Sequence, residues 1–263
     1  MAIGRFVGPE DNHIAGFRDE LEVLANQDVD AFFTFFNSGA DYRQAMVTGA
    51  WDFSIHIAGP LNGLLAETHT KTVMEVGYGG GRILASAARH FGHAVGVDIH
   101  HKSALVHQRL AESGVENITL HEGDGTTYPV LDAAIDVAYS FIVFQHMERL
   151  DILKANLAEI HRVLRPGGIA LLYFGRVSTL ANMRRSRLLA LVDRLRDDWG
   201  GAPAYRELPA RVNESNLRVS SRLARRLLTG LGFTVLRSGF SCRRPPDGGD
   251  RYGAQHWLAV RKR

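Results

Sequence analysis

One cysteine, Cys242, in 263 residues leaves no basis for a disulfide framework or for a zinc site built from several thiolates. A reducing cytoplasm is the expected home. No apolar run approaches the roughly 20 residues needed to span a bilayer, and no basic-then-apolar leader opens the sequence, so no membrane segment is expected. Strong overall charge is missing too: the formal net charge is +3, although the pI is about 9.2. The excess is local. Lysine is absent from residues 176–226, where twelve arginines stand against five acidic residues. Such a stretch suits a nucleic-acid face, an acidic acceptor or a solvated helical surface, the last being the commonest. Internal repeats and low-complexity segments are also absent. At 45% hydrophobic residues the chain can bury the core of one α/β domain with additions.

What is present is a strand, a glycine-rich turn, a helix and a second strand between Thr72 and Ile99. Val73, Met74 and Val76 form an apolar run without polar alternation, as in a parallel strand covered on both faces. Glu75 interrupts it. Gly77, Gly79, Gly80 and Gly81 allow a sharp turn and a close approach to a ligand. Ile83, Leu84, Ala87, Ala88 and Phe91 follow at helical spacing, and Asp98 ends the next strand about 20 residues after the first glycine, where a ribose-binding acid is placed in nucleotide folds. A dinucleotide site requires G-x-G-x-x-G, and the position of its third glycine is Arg82 here. The pattern is instead Glu75, Gly77, Gly79, Gly81.

This E-x-G-x-G-x-G run resembles the first motif of class I S-adenosylmethionine-dependent methyltransferases. The resemblance implies that Glu75 lies under the methionine moiety of S-adenosylmethionine, that Gly77, Gly79 and Gly81 pass beneath the cofactor, and that Asp98 receives its ribose hydroxyls. A carboxylate beside an ammonium and a sulfonium is attractive, whereas beside a pyrophosphate it would repel. Further along, Asp124 with Gly125 matches the family's adenine contact after the third strand, and Ser140 with Phe141 falls at the cofactor rim of the fourth. The run Leu164-Arg-Pro-Gly-Gly168 before the fifth strand is also typical of the family. The implied architecture is an α/β, Rossmann-like seven-stranded, mostly parallel sheet ending in an antiparallel hairpin, His256 to Val260 beside Thr234 to Arg237. That hairpin distinguishes the family from the dinucleotide fold and disfavours a nicotinamide-dependent oxidoreductase.

Four regions are expected: an N-terminal helical cap over residues 1–70, a cofactor-binding core over 71–175, an inserted helical lid over 176–218, and the remainder of the core over 219–263. In the cap, Phe17, Leu21, Leu24, Phe32, Phe33, Phe35 and Phe36 supply an apolar face, Asn37 to Gly39 breaks it, and a second helix is predicted near Pro60 to Glu67. The lid is predicted to be helical from Leu180 to Trp199 and to cover the acceptor.

Methyl transfer is an in-line displacement, so the protein's main task is alignment. A hydroxyl acceptor also needs a base, and His146 at the rim of strand four is the candidate, oriented by Glu148. Tyr42, Trp51, Trp199 and Tyr205, among polar residues, suit stacking on a saccharide, the expected small-molecule acceptor. O- or N-methylation of an aromatic or polyketide-type metabolite is the alternative. No resident metal is expected, although His146, Glu148 and Asp151 could together hold one. A nucleic-acid partner is disfavoured, because strand four ends in Ser140-Phe-Ile-Val rather than the Asp/Asn-Pro-Pro-aromatic tetrad of adenine-N6 enzymes, and Cys242 lies far from the position of a cytosine-C5 nucleophile.

Overall fold

Thr72–Val76, the first apolar run, forms β1 at the centre of a seven-stranded sheet in the computed structural model, which describes residues 16–36, 41–243 and 251–263. His93–Asp98 (β2) and Ile118–Glu122 (β3) extend the sheet on one side in parallel, and Ile135–Ser140 (β4) and Leu164–Gly175 (β5) extend it on the other. Beyond β5 lie Arg251–Lys262 (β9) and Phe233–Arg243 (β8), both pairings antiparallel, which gives the order β3-β2-β1-β4-β5-β9-β8. The expected α/β sheet with an antiparallel end is therefore the observed one. Its strand order reverses between β1 and β4, and the crevice outside the strands' carboxyl ends opens at that point.

Alternate residues feed two cores, as the two-residue period of a strand requires. Met74, Val76, Leu172 and Phe174 pack on one face beneath Leu150–Val163 (α7) and Ser221–Gly230 (α9). Val73, Leu171 and Tyr173 pack on the other beneath Arg82–Ala88 (α5) and Ser103–Glu112 (α6). Each fully buried leucine contributes about 1.5–3 kcal/mol. None of the described helices is long and apolar enough to cross a membrane.

Ahead of β1, Phe17–Gln27 (α1), Val29–Phe35 (α2) and Tyr42–Asp52 (α3) lie over the glycine turn. Arg18 fastens α1 there, its Nε donating to the Ile99 carbonyl at 2.8 Å. The predicted helix at Pro60 to Glu67 is displaced: α3 runs on through a π-helical turn, Phe53–Ala58, into Gly59–Leu61 (α4), and the following residues are not helical. Pro60 follows the π-helical turn inside this continuous helix, where its missing N–H removes a backbone hydrogen bond, and the helix ends one residue later at Leu61. The predicted break at Asn37 to Gly39 lies outside the described residues. Gly49 on α3 meets the start of α5 so closely that a Cβ would lie 2.2 Å from the Arg82 carbonyl oxygen. Gly49→Ala should accordingly cost about 1–3 kcal/mol through overpacking; an unchanged urea midpoint would mean that α3 does not pack there.

Other boundaries also shift. Strand β4 stops at Ser140 rather than Phe144, and Phe144–His146 is a 3₁₀ turn. Strands β8 and β9 run longer than predicted because they pair with each other over most of their length. The insertion's helix, Arg187–Trp199 (α8), starts later than Leu180, with Ser186 as its N-cap, and two short strands, Tyr205–Glu207 (β6) and Leu217–Val219 (β7), pair antiparallel after it. Helix α8 is held by a buried ion pair between Asp193 and Arg176 at the end of β5, and no residue from Leu180 to Tyr205 lines the crevice. The part of the insertion that reaches the crevice is Asn213 with the backbone beside it.

Candidate active site

A cavity of about 480 Å³ fills the crevice, with the glycine turn, the ends of β1, β2 and β4, and helices α1 to α3 as its walls. Glu75 forms its floor. The carboxylate is 2% exposed and accepts the Tyr139 hydroxyl proton at 3.0 Å. Burial pushes its carboxyl up to about 8, against the Tyr139 hydrogen bond and the Arg82 charge, which pull it down. At neutral pH the group is mostly protonated, and a cation placed beside it would favour ionisation.

The turn above it has Gly77 at φ 77° and Gly79 at φ 53°, conformations that a side chain would strain. Their missing side chains also make room for neighbours: a Cβ on Gly77 would come within 2.3 Å of Val143, and one on Gly79 within 2.8 Å of Phe36. Asp98 braces the turn, its Oδ2 accepting the Gly79 N–H at 2.7 Å and its Oδ1 the Ile99 N–H at 2.7 Å. Each oxygen keeps a second lone pair for a ligand hydroxyl. His100, fully buried, closes the turn from behind with Nε2 against the Gly79 carbonyl at 3.1 Å. Its neighbours in the sequence give no pattern that would have singled it out.

The opposite wall is apolar and aromatic: Phe17, Leu21, Phe35, Phe36, Phe141 and Ile142. Ile142 has φ 59°, a left-handed conformation that costs a β-branched residue about 1–2 kcal/mol and is held here at the cavity rim. His56 stacks on Phe141 with ring centroids 4.4 Å apart, so the aromatic wall is rigid. Polar groups enter as Asp52 paired with Arg82, and as Gln145, His146 and Asn213. His146 is 6% exposed. Its Nδ1 lies 2.6 Å from the Glu214 carbonyl oxygen, an acceptor only, so Nδ1 carries the proton and Nε2 holds the lone pair. Gln145 Nε2 is 3.3 Å from that lone pair. Burial lowers the imidazole to about 4, with the Glu214 carbonyl opposing it.

Of the residues singled out in the sequence, the cavity gathers Glu75, Gly77, Gly79, Asp98, Gly125, Phe141 and His146. The others lie elsewhere. Gly81 caps α5, and a Cβ there would meet Leu110 at 2.9 Å, so its role is helix packing. Asp124 is turned into its own loop, accepting the N–H and hydroxyl groups of Thr126 and Thr127 at 2.7–2.9 Å; burial would raise it, but these bonds outweigh burial and drop it to about 2. It is a turn residue. Ser140 is buried below the rim, and Glu148 is not in the lining. The Glu214 carbonyl, not Glu148, orients His146. Tyr42 anchors the cap, donating to the Arg109 carbonyl at 3.1 Å. Trp51 and Trp199 are 62% and 83% exposed, and Tyr205 lies on β6, all away from the cavity. Among the described residues no group of three or more His, Cys, Asp or Glu is placed to hold a metal.

A family model described as a methyltransferase domain matches residues 74–172, the segment that supplies the floor, the turn and the β4 rim. Residues 74–172 are thus a methyltransferase domain, on the fold of the class I S-adenosylmethionine-dependent methyltransferases. S-adenosylmethionine is the cofactor of this methyltransferase domain, and the chain's own groups fit it: Glu75 for a cationic end and Asp98 for hydroxyls. A malonyl acyl-carrier-protein O-methyltransferase of Methylococcus capsulatus is 34% identical over 130 residues, 49% of this chain, and the chain spans 39% of that relative's length. The cyclase SpnF shares the fold at 15% identity with a TM-score of 0.58, over 97% of this chain and 98% of its own. A methyltransferase of Mesorhizobium loti does so at 17% identity and TM-score 0.52, over 77% and 95%. A cyclase with the methyltransferase fold shows that fold alone does not set the reaction.

Proposed function

We propose that the protein transfers a methyl group from S-adenosylmethionine to an acidic hydroxyl, a phenol or enol, on a small aromatic or polyketide-type acceptor, with His146 Nε2 taking the proton. The observation that carries this reading is the fixed tautomer of His146: Nδ1–H is committed to the Glu214 carbonyl, so Nε2 lies at the cavity wall in the base form at every physiological pH, its lone pair facing only the Gln145 amide at 3.3 Å. Burial makes it a weak base, poorly matched to a sugar hydroxyl, whose pKa lies well above that of a phenol. A phenol near 10 is a closer match. The aromatic wall formed by Phe17, Phe35, Phe36 and Phe141 suits such an acceptor, whereas the aromatic residues that favoured a saccharide stand outside the cavity.

In this reading the domain's residues divide the work. When bound, S-adenosylmethionine supplies an electrophilic methyl group on a good leaving group. Glu75 and Asp98 hold its two ends, the apolar wall excludes water, and Gln145 and Asn213 offer the acceptor hydrogen bonds. Arg82 and Asp52 neutralise one another and tie the cap to the glycine turn. Oxygen methylation is also what the Methylococcus relative's name describes, and an acceptor that ionises readily is the feature the two would share. The test is methyl transfer from labelled S-adenosylmethionine to a panel of phenols and of mono- and disaccharides. At least about 10²-fold higher kcat/KM on the best phenol is expected; the reverse preference would overturn the acceptor assignment.

A further inference from the structure

A second concavity, of about 300 Å³, opens between the π-helical turn and the β5–β9–β8 half of the sheet, with His56, Tyr173, Arg237, Phe240, Cys242 and Trp257 in its walls. Its rings are fixed before any ligand arrives. The Tyr173 hydroxyl donates to the His56 carbonyl at 2.7 Å. Trp257 donates from Nε1 to the Phe240 carbonyl at 3.2 Å and lies against Gly239, where a Cβ would come within 2.6 Å of its Cζ2. Phe240 has the Arg176 guanidinium 3.9 Å from its ring centroid on one side. Rings held this way lose little conformational freedom on stacking, which favours binding of a flat partner.

Arg237, the arginine among the described residues of the lining, is also fixed. Arg237 donates from Nη1 to the carbonyls of Asn62 at 2.6 Å and Pro60 at 3.4 Å. Arg237 is exposed and, among the described residues, forms no ion pair, so its charge is open to an anion. An arginine with an uncompensated charge beside fixed rings matches an anion carried on a planar aromatic body, since the guanidinium fork suits a carboxylate. The volume is at the small end of ligand pockets, enough for one or two fused rings.

We propose that this concavity is a second binding site, taking a planar aromatic carboxylate whose rings lie against Phe240 and Trp257, above the buried Tyr173, and whose carboxylate pairs with Arg237. The probe is naphthalene-2-carboxylate, titrated by calorimetry into the full chain saturated with S-adenosylhomocysteine, so that the cofactor's cavity is filled. Arg237→Gln should weaken binding at least about tenfold, and naphthalene-2-carboxamide should bind the wild type at least about tenfold more weakly. Location is read independently from Cys242, the single cysteine of the chain: the carboxylate should slow its alkylation by iodoacetamide, and in Arg237→Gln this protection should require correspondingly more probe. Far-ultraviolet dichroism of the variant controls for its folding. Absence of binding at about 10 mM probe, carboxamide binding as tight as the carboxylate, Arg237→Gln affinity within about threefold of wild type, or unprotected Cys242 at saturation would each overturn the assignment.

Discussion

Replacing His146 by alanine is expected to lower kcat by at least about 10², with affinity for S-adenosylhomocysteine within about threefold of wild type. In the proposed reading Glu75 and Asp98, on other strands, hold the cofactor's ends, so the loss should be confined to proton removal and acceptor alignment. The pH dependence distinguishes this account from an ordinary histidine base. A solvated imidazole would give a kcat that rises with pH through about 6.5. His146 is lowered to about 4 by burial, and the base form is the active one, so kcat should rise through about 4 and stay flat from about pH 5 to 8 wherever the fold is intact. Single-turnover rates measured across that range make the comparison. A rate that climbs through 6.5, or an alanine variant within about threefold of wild type, would remove His146 from the proton transfer. Glu148→Gln should have little effect on kcat, because the imidazole is oriented by the Glu214 carbonyl.

The second large effect is expected on stability, at Asp193. Its carboxylate is fully buried with Arg176, and it also accepts the Ser178 hydroxyl at 2.6 Å and the N–H groups of Leu180 at 3.0 Å and Ala181 at 2.8 Å. Burial would raise the carboxyl, but these hydrogen bonds and the Arg176 charge outweigh it and hold it below the usual carboxylate range. Asp193→Ala would leave a buried guanidinium without its partner, which typically costs about 3–5 kcal/mol. Removing both charges, as in Asp193→Leu with Arg176→Met, should recover more than half of that loss. The readout is the urea unfolding midpoint of each variant. A single variant less than about 1 kcal/mol below wild type would show that water reaches the pair, and a double variant no better than the single would show that packing rather than charge holds α8. The arginine-rich insertion is thus anchored as part of the body through its most buried acid.

Where local chemistry dictates structure, the sequence was readable. An apolar run broken by Glu75, a glycine turn and Asp98 define the floor, the turn and the brace of the cavity, because each needs only its immediate neighbours. The mostly parallel sheet with an antiparallel end followed from the family resemblance of the same run, whereas the strand order is seen only in the structure. Residues whose role depends on distant backbone were not readable. His146 is fixed by the carbonyl of Glu214, 68 positions away, and Arg82 by Asp52, 30 positions away. Asp124 has the position of a ligand acid and the local sequence of an Asx turn, Asp-Gly-Thr-Thr, and the two threonines decided it. Trp51, Trp199 and Tyr205 were misplaced for a different reason: an exposed aromatic reads the same in sequence whether it faces a ligand or water. The phenylalanines of α1 and α2 were legible as an apolar face, but only the folded cap shows that part of that face is cavity wall.

Calorimetry with S-adenosylhomocysteine and with NAD decides whether Glu75, the glycine turn and Asp98 form an S-adenosylmethionine site. S-adenosylhomocysteine should bind the wild type and be weakened by about 1.5–3 kcal/mol in Asp98→Ala, through loss of charge-assisted hydrogen bonds to its hydroxyls. NAD should bind far more weakly or not at all, because its pyrophosphate would meet a buried carboxyl group and Arg82 in place of a third glycine. Tighter binding of NAD than of S-adenosylhomocysteine, or an Asp98→Ala affinity equal to wild type, would contradict the account.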